Sequence, residues 1–142
     1  MNRSRSLIPA ARRRRTQAGQ GLVESALSII VFLALVFGIM EFGRASFVYN
    51  QLAYLAQQGT RYASLNGSTA ATPATNTSIS NYVKSQAIGI PSLTVTTTWQ
   101  NNQNVPGHWV KVKVDHSFTF LGPFMPAASM NLTSSGQDTI LQ

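Results

Sequence analysis

The chain has 142 residues, a formal net charge of +7 and no cysteine, so it is long enough for one small domain and carries no disulfide or thiolate chemistry. The positive charge does not point to nucleic acid, because a nucleic-acid binder needs its basic residues on a folded face. Six of the eleven basic residues precede Gly19, and from Gln20 onward five basic residues face four acids.

Met1 to Ala18 is arginine-rich, lacks acids and shows no apolar periodicity. It reads as an unfolded cytoplasmic tail or a removable leader, residues 1–19. No charged residue occurs from Ser25 to Met40. Leu22 to Phe42 is 21 positions. At 1.5 Å per residue this is about 31 Å, close to the roughly 30 Å hydrocarbon core of a bilayer. The run is apolar on every face and the domain behind it is too small to wrap it. A transmembrane helix over residues 20–42 is therefore expected, rather than the buried helix of a soluble protein. Arg12, Arg13, Arg14 and Arg15 on one flank, against Arg44 alone on the other, are the topology signal. They set the N-terminus inside and everything after about Gly43 outside the cytoplasm. Gly43-Arg44-Ala45 loosely fits a secretory cleavage site, but Glu41 and Arg44 lie in the region such a site keeps uncharged.

Glu24 is the anomaly of the span. An acid within a membrane helix is costly and marks a candidate functional position. Snorkelling to the headgroups is the plain alternative. A partner arises if the chain is cut between Gly19 and Gln20, because the new amine would lie four residues from Glu24 on one helix, or near it on a neighbouring one. Gly19 suits a peptidase that needs a residue without a side chain before the bond.

Beyond the span, residues 43–65 read as the same helix continued outside the membrane. Phe47, Val48, Leu52, Leu55, Ala56, Gly59, Tyr62 and Ala63 recur at spacings of three and four. Glu41 and Arg44 are helix-surface neighbours at the membrane boundary, either a plain headgroup-level pair or an interfacial clamp. Gly59 costs about 1 kcal/mol in helix propensity against alanine, which signals close packing or a kink. Asn66-Gly67 is a stop signal.

Residues 66–78 form a polar linker without core-forming residues. A small α+β domain follows over residues 79–142. Ile79 to Ala87 reads as a short helix capped by Ser78 or Thr77. Leu93 to Trp99 and Trp109 to Leu121 alternate with period two, and Asn131 to Leu141 reads as a last strand with Gly136 at a turn or bulge. Asn101 to Gly107 is a hairpin loop, and Gly122 to Pro126 breaks the sheet. Three antiparallel strands with one apolar face need a cover, and the extended helix supplies it. His108 and His116 lack companions at ligand spacing, and no catalytic, metal or cofactor motif appears. Trp99, Trp109 and Phe124 fit core or interface anchoring better than an exposed patch.

A basic leader, a glycine, a glutamate at the fifth position after it and an apolar helix together resemble prepilin-type proteins. More narrowly, Val23-Glu24, Glu41-Phe42-Gly43-Arg44, Asn50-Gln51-Leu52 and Gly59-x-Arg61-Tyr62-Ala63 resemble the TadE-like family of Flp (tight-adherence) pilus assembly proteins. Ser25 stands where that family usually has an aromatic residue. The resemblance implies a pilin-like, membrane-anchored α+β fold and a structural role as a minor pilin or pseudopilin in the bacterial inner membrane. The implied partners are a prepilin peptidase cutting at Gly19 and Gln20, a Flp-type major pilin, other TadE-like or TadF-like pseudopilins, a secretion ATPase and its inner-membrane platform, and the lipid bilayer. Adhesion and biofilm formation would follow at the level of the pilus. The rival reading is an uncleaved, signal-anchored envelope protein whose β-domain is a binding module.

Overall fold

The computed structural model describes residues 11–122 and 128–142, with side chains from residue 19 onward. The described residues form, in order, helix α1 Ala11–Leu65, helix α2 Asn76–Gln86, strand β1 Leu93–Trp99, a 3-10 turn Gln100–Asn102, and strands β2 Trp109–Thr119 and β3 Ser129–Thr139. The chain divides into two units, Met1–Ile39 and Met40–Gln142. It is a membrane-anchored α+β protein.

No proline occurs between Pro9 and Pro73, and α1 runs 55 residues without interruption. The helix bounds reach back to Ala11, within the expected leader. Arginine is a good helix former, which lets that segment extend the helix behind it. The rest of the expected leader, residues 1–10, lies outside the described residues. In the first unit Leu22, Val23, Leu27, Ile29, Ile30, Phe32 and Leu35 are all exposed. This part of α1 is long and apolar enough to cross a membrane, and its most apolar window buries nothing within the chain. A helix satisfies its own backbone hydrogen bonds, which is the condition for crossing hydrocarbon.

The second unit is built on a meander. Its antiparallel sheet has the order β1-β2-β3, with Val95 opposite Val114 and Val112 opposite Gly136. Along β2, Val110, Val112, Val114 and Phe118 are buried while Lys111, Lys113, Ser117 and Thr119 are exposed. This is the period-two alternation of a half-buried strand. The buried face meets Leu52, Leu55, Ala56 and Ala63 of α1 and Ile79 and Val83 of α2 in one hydrophobic core.

Several details depart from expectation. Phe47 is 60% exposed and does not join the core. Farther along α1, the polar Thr60 and Ser64 are buried. Both hydroxyls donate to carbonyls of their own helix, Thr60 Oγ1 to Ala56 O at 2.7 Å and Ser64 Oγ to Arg61 O at 3.0 Å. That removes the cost of burying them. Helix α2 starts at Asn76, three residues before Ile79, and its N-cap is Thr75. Thr75 Oγ1 accepts from Ser78 N–H at 3.1 Å, and Ser78 Oγ accepts from Thr75 N–H at 2.9 Å, a reciprocal capping box. Segment 66–75 is not featureless, because Ala74 is buried and Asn104 Nδ2 donates to its carbonyl at 3.0 Å. Gly136 is neither turn nor bulge, since the β2–β3 register runs unbroken through it. A Cβ there would stand 2.7 Å from Thr60 Oγ1 and 3.0 Å from the Ala56 carbonyl oxygen, so glycine lets strand and helix touch.

Gly59 is the matching point on α1. A Cβ at Gly59 would meet Val83 Cγ2 at 2.6 Å and Val112 Cγ1 at 3.1 Å. The close packing predicted from the sequence is present, and the packed atoms are side chains of α2 and β2.

Candidate functional site

The residues singled out by sequence fall into two groups, one in each unit. Gly19, Gln20 and Glu24 lie on exposed helix in the first unit. Nothing lies within 4 Å of a Cβ built on Gly19, Gly21, Gly38 or Gly43. Each of these glycines weakens the helix by about 1 kcal/mol relative to alanine, and packing among the described residues explains none of them. Gly59 and Gly136, in the second unit, are each explained by a close contact.

Glu24 is exposed, and its backbone carbonyl accepts a hydrogen bond from Ser28 Oγ at 2.9 Å. Among the residues whose side chains are described, no cation pairs with its carboxylate. Gln20 and Glu24 are four residues apart on α1, a spacing that places them one above the other on the same helix face. The side chains of Arg12, Arg13, Arg14 and Arg15 lie outside the described residues.

In the second unit, Glu41 and Arg44 form an ion pair with Arg44 Nη2 3.4 Å from Glu41 Oε2. The pair is half-buried, with side-chain exposures of 18% for Glu41 and 34% for Arg44. Glu41 Oε2 is buried and accepts no hydrogen bond, so the guanidinium is the charge that compensates it. Arg44 also donates to the backbone carbonyl of Thr119. Its guanidinium carbon sits 4.5 Å from the centre of the Phe118 ring. Phe118 in turn meets Phe120 edge to face, with ring centroids 5.3 Å apart.

Arg44 therefore ties the base of the long helix to the end of β2. Sequence periodicity could not find this contact, because the partners are 75 residues apart. The available signal was an arginine on the inner helix face and an aromatic on the apolar strand face. At the opposite end of the unit, Trp99 is half-buried, and its Nε1 donates to Asn76 Oδ1 at 2.7 Å, fastening β1 to the start of α2. Trp109 is also half-buried, and Phe124 lies outside the described residues. Tyr62 of α1 and Tyr82 of α2 stack with centroids 4.6 Å apart.

No curated protein and no solved structure matches the chain. Residues 19–61 match a family model described as TadE-like protein. The matched stretch opens on Gly19, contains Glu24, Glu41 and Arg44, and ends on Arg61. It covers the stretch of α1 on which the resemblance was drawn except Tyr62 and Ala63.

Proposed function

We propose that this chain is a structural component of a Flp-type (tight-adherence) pilus, a minor pilin or pseudopilin anchored by α1 in the bacterial inner membrane. A role in assembling such a pilus is what the TadE-like match over residues 19–61 suggests, and that match carries the reading. The finer claims rest on the residues. Among the described residues, Leu22, Val23, Leu27, Ile29, Ile30, Phe32 and Leu35 of the apolar half of α1 present exposed side chains. Its unexplained glycines allow close helix–helix approach in a membrane, where small residues let backbones come together. The N-terminus is inside and the second unit outside the cytoplasm, from the arginine asymmetry.

In this reading a prepilin peptidase cuts between Gly19 and Gln20, and the new amine neutralises Glu24 of the same or a neighbouring subunit. The other partners are a Flp-type major pilin, further TadE-like or TadF-like pseudopilins, and a secretion ATPase with its membrane platform. The protein catalyses nothing; it acts by helix packing. Mass spectrometry of the membrane-extracted protein tests the proposal. An N-terminus at Gln20 supports it. Intact Arg12, Arg13, Arg14 and Arg15 in a strain that carries the peptidase count against processing and favour a signal-anchored envelope protein.

A further inference from the structure

The two ends of the sheet differ in chemistry. The β1–β2 connection, residues 100–108, reads QNNQNVPGH and is polar. It lies toward the end of α1, where Ser68 N–H donates to Asn104 O at 3.0 Å and Leu141 N–H to Ser64 O at 2.9 Å. The β2–β3 end lies beside the start of the unit, where Arg44 donates to the Thr119 carbonyl. No lysine, arginine, aspartate or glutamate occurs between Asp115 and Asp138.

This end carries apolar side chains that the domain does not use. Leu121 is 75% exposed. Met130, opposite Phe118 in the register, is 44% exposed. The strand ladder continues past Thr119, with Phe120 N–H donating to Ala128 O at 3.0 Å, so Leu121 projects from an ordered end. Two residues of extended chain separate Leu121 from Thr119, a reach of at most about 7 Å. On α1, Arg44 is two residues, about 3 Å along the axis, beyond Phe42. Phe42 is the last residue of the apolar run and is itself exposed. Arginines and aromatic residues gather at the headgroup level of membrane proteins.

We propose that the β2–β3 end of the sheet is a second membrane contact, with Leu121 and Met130 seated in the interfacial layer of the bilayer that α1 crosses. The occupant is lipid because Arg44, which fixes this sheet end, stands two residues beyond Phe42, the exposed residue of the same unit at which the apolar run ends. Arg44 then has two tasks: it meets the headgroups and it fixes the sheet end at their level. The second unit thereby has a lipid contact of its own in addition to α1. This inference rests on the reading of residues 22–42 as a membrane span.

Because the chain has no cysteine, single-cysteine labelling is clean. Full-length Leu121→Cys, Met130→Cys, Thr139→Cys and Leu35→Cys variants carry an environment-sensitive fluorophore in vesicles of phosphatidylethanolamine and phosphatidylglycerol. Lipids brominated near the headgroup or deep in the chain act as quenchers. All four side chains are exposed, so labelling leaves the core intact. The expected result is a blue shift and shallow-lipid quenching at 121 and 130, deep quenching at 35, and neither shift nor quenching at 139. Labels at 121 and 130 that behave like the one at 139, with 35 still quenched, overturn the second contact and leave the span intact. A blue shift at 121 without lipid quenching means that protein covers the patch, and overturns it as well. An unquenched label at 35 removes the span itself and the inference with it.

Discussion

Arg44 and Phe118 stand guanidinium over ring, 4.5 Å from carbon to ring centre, and Arg44 donates to the next carbonyl, that of Thr119. One side chain thus joins the base of the helix to the end of the central strand. A hydrogen bond to a charged group contributes about 1.5–3 kcal/mol. A cation over an aromatic face adds about 0.5–1 kcal/mol when partly exposed. Arg44→Ala also leaves Glu41 half-buried without its cation. The expected loss is about 2–3 kcal/mol in the second unit. Arg44→Lys should lose less, keeping the charge but not the planar fork. Both tryptophans lie in that unit, so denaturant unfolding in detergent, followed by their fluorescence, reports it alone. An unchanged midpoint in Arg44→Ala would show the contact to be incidental.

Gly59→Ala should destabilise the unit although alanine is the better helix former. The added Cβ would meet Val83 Cγ2 at 2.6 Å. Overpacking of this kind costs about 1–3 kcal/mol, against a propensity gain of about 1 kcal/mol. Gly136→Ala should cost more, because one of its contacts at 3.0 Å is the backbone carbonyl of Ala56, which cannot swing aside. Unfolding midpoints of the two variants, ranked in that order below wild type, test the assignment.

These two glycines show what a sequence can disclose. A glycine within a helix pattern announces a close approach, and Gly59 could be read that way. A glycine within a strand pattern announces a bulge as readily as a contact, and only the fold shows that Gly136 faces Ala56 and Thr60. The alternation of β2 and the end of α1 at Leu65 were legible because each is a local rule repeated along the chain. The inner face of α1 was only partly legible. Phe47 fits the spacing but is exposed, whereas Thr60 and Ser64 look polar and are buried. Of the candidate positions, Glu24 and Gly19 stood out by breaking the rule of their surroundings. The reach of Arg44 to Thr119 obeys no local rule and could not be seen.

Asp115 gives the second unit a weak acid sensitivity. Thr133 Oγ1 donates to its Oδ1 at 2.5 Å, and Lys113 Nζ stands 3.0 Å away. The threonine hydrogen bond is the main cause that holds the carboxyl below its ordinary range; burial opposes it, and Lys113 adds to the lowering. A carboxylate whose folded-state pKa is depressed stabilises the fold above its unfolded value. That contribution is lost as the pH falls through the folded one. Thr133→Val should therefore lower the unfolding midpoint at neutral pH, and its difference from wild type should shrink as the pH drops below the usual carboxylate range. A difference that stays constant with pH would assign the effect to the hydroxyl's packing and not to the charge.

Glu24 supplies the test that bears most directly on function. Its carboxylate is exposed on an apolar helix, and no described cation meets it. A charged acid within a span costs of the order of 2.5–3.5 kcal/mol at mid-helix, and less near the end. If the amine of a cut chain neutralises it, Glu24→Ala removes the demand for that amine and Glu24→Gln keeps the shape without the charge. Both variants should insert in the membrane at least as well as wild type and fold their second unit normally, since Glu24 lies outside that unit. Both should nevertheless fail to enter the assembly, reading out as loss of surface pili with undiminished membrane-bound protein. Gly19→Phe should act one step earlier and leave the basic leader attached. Glu24→Asp should recover part of the assembly because the charge returns on a shorter arm. Normal pilus numbers in Glu24→Ala would mean that the acid snorkels to the headgroups and that the amine pair plays no part.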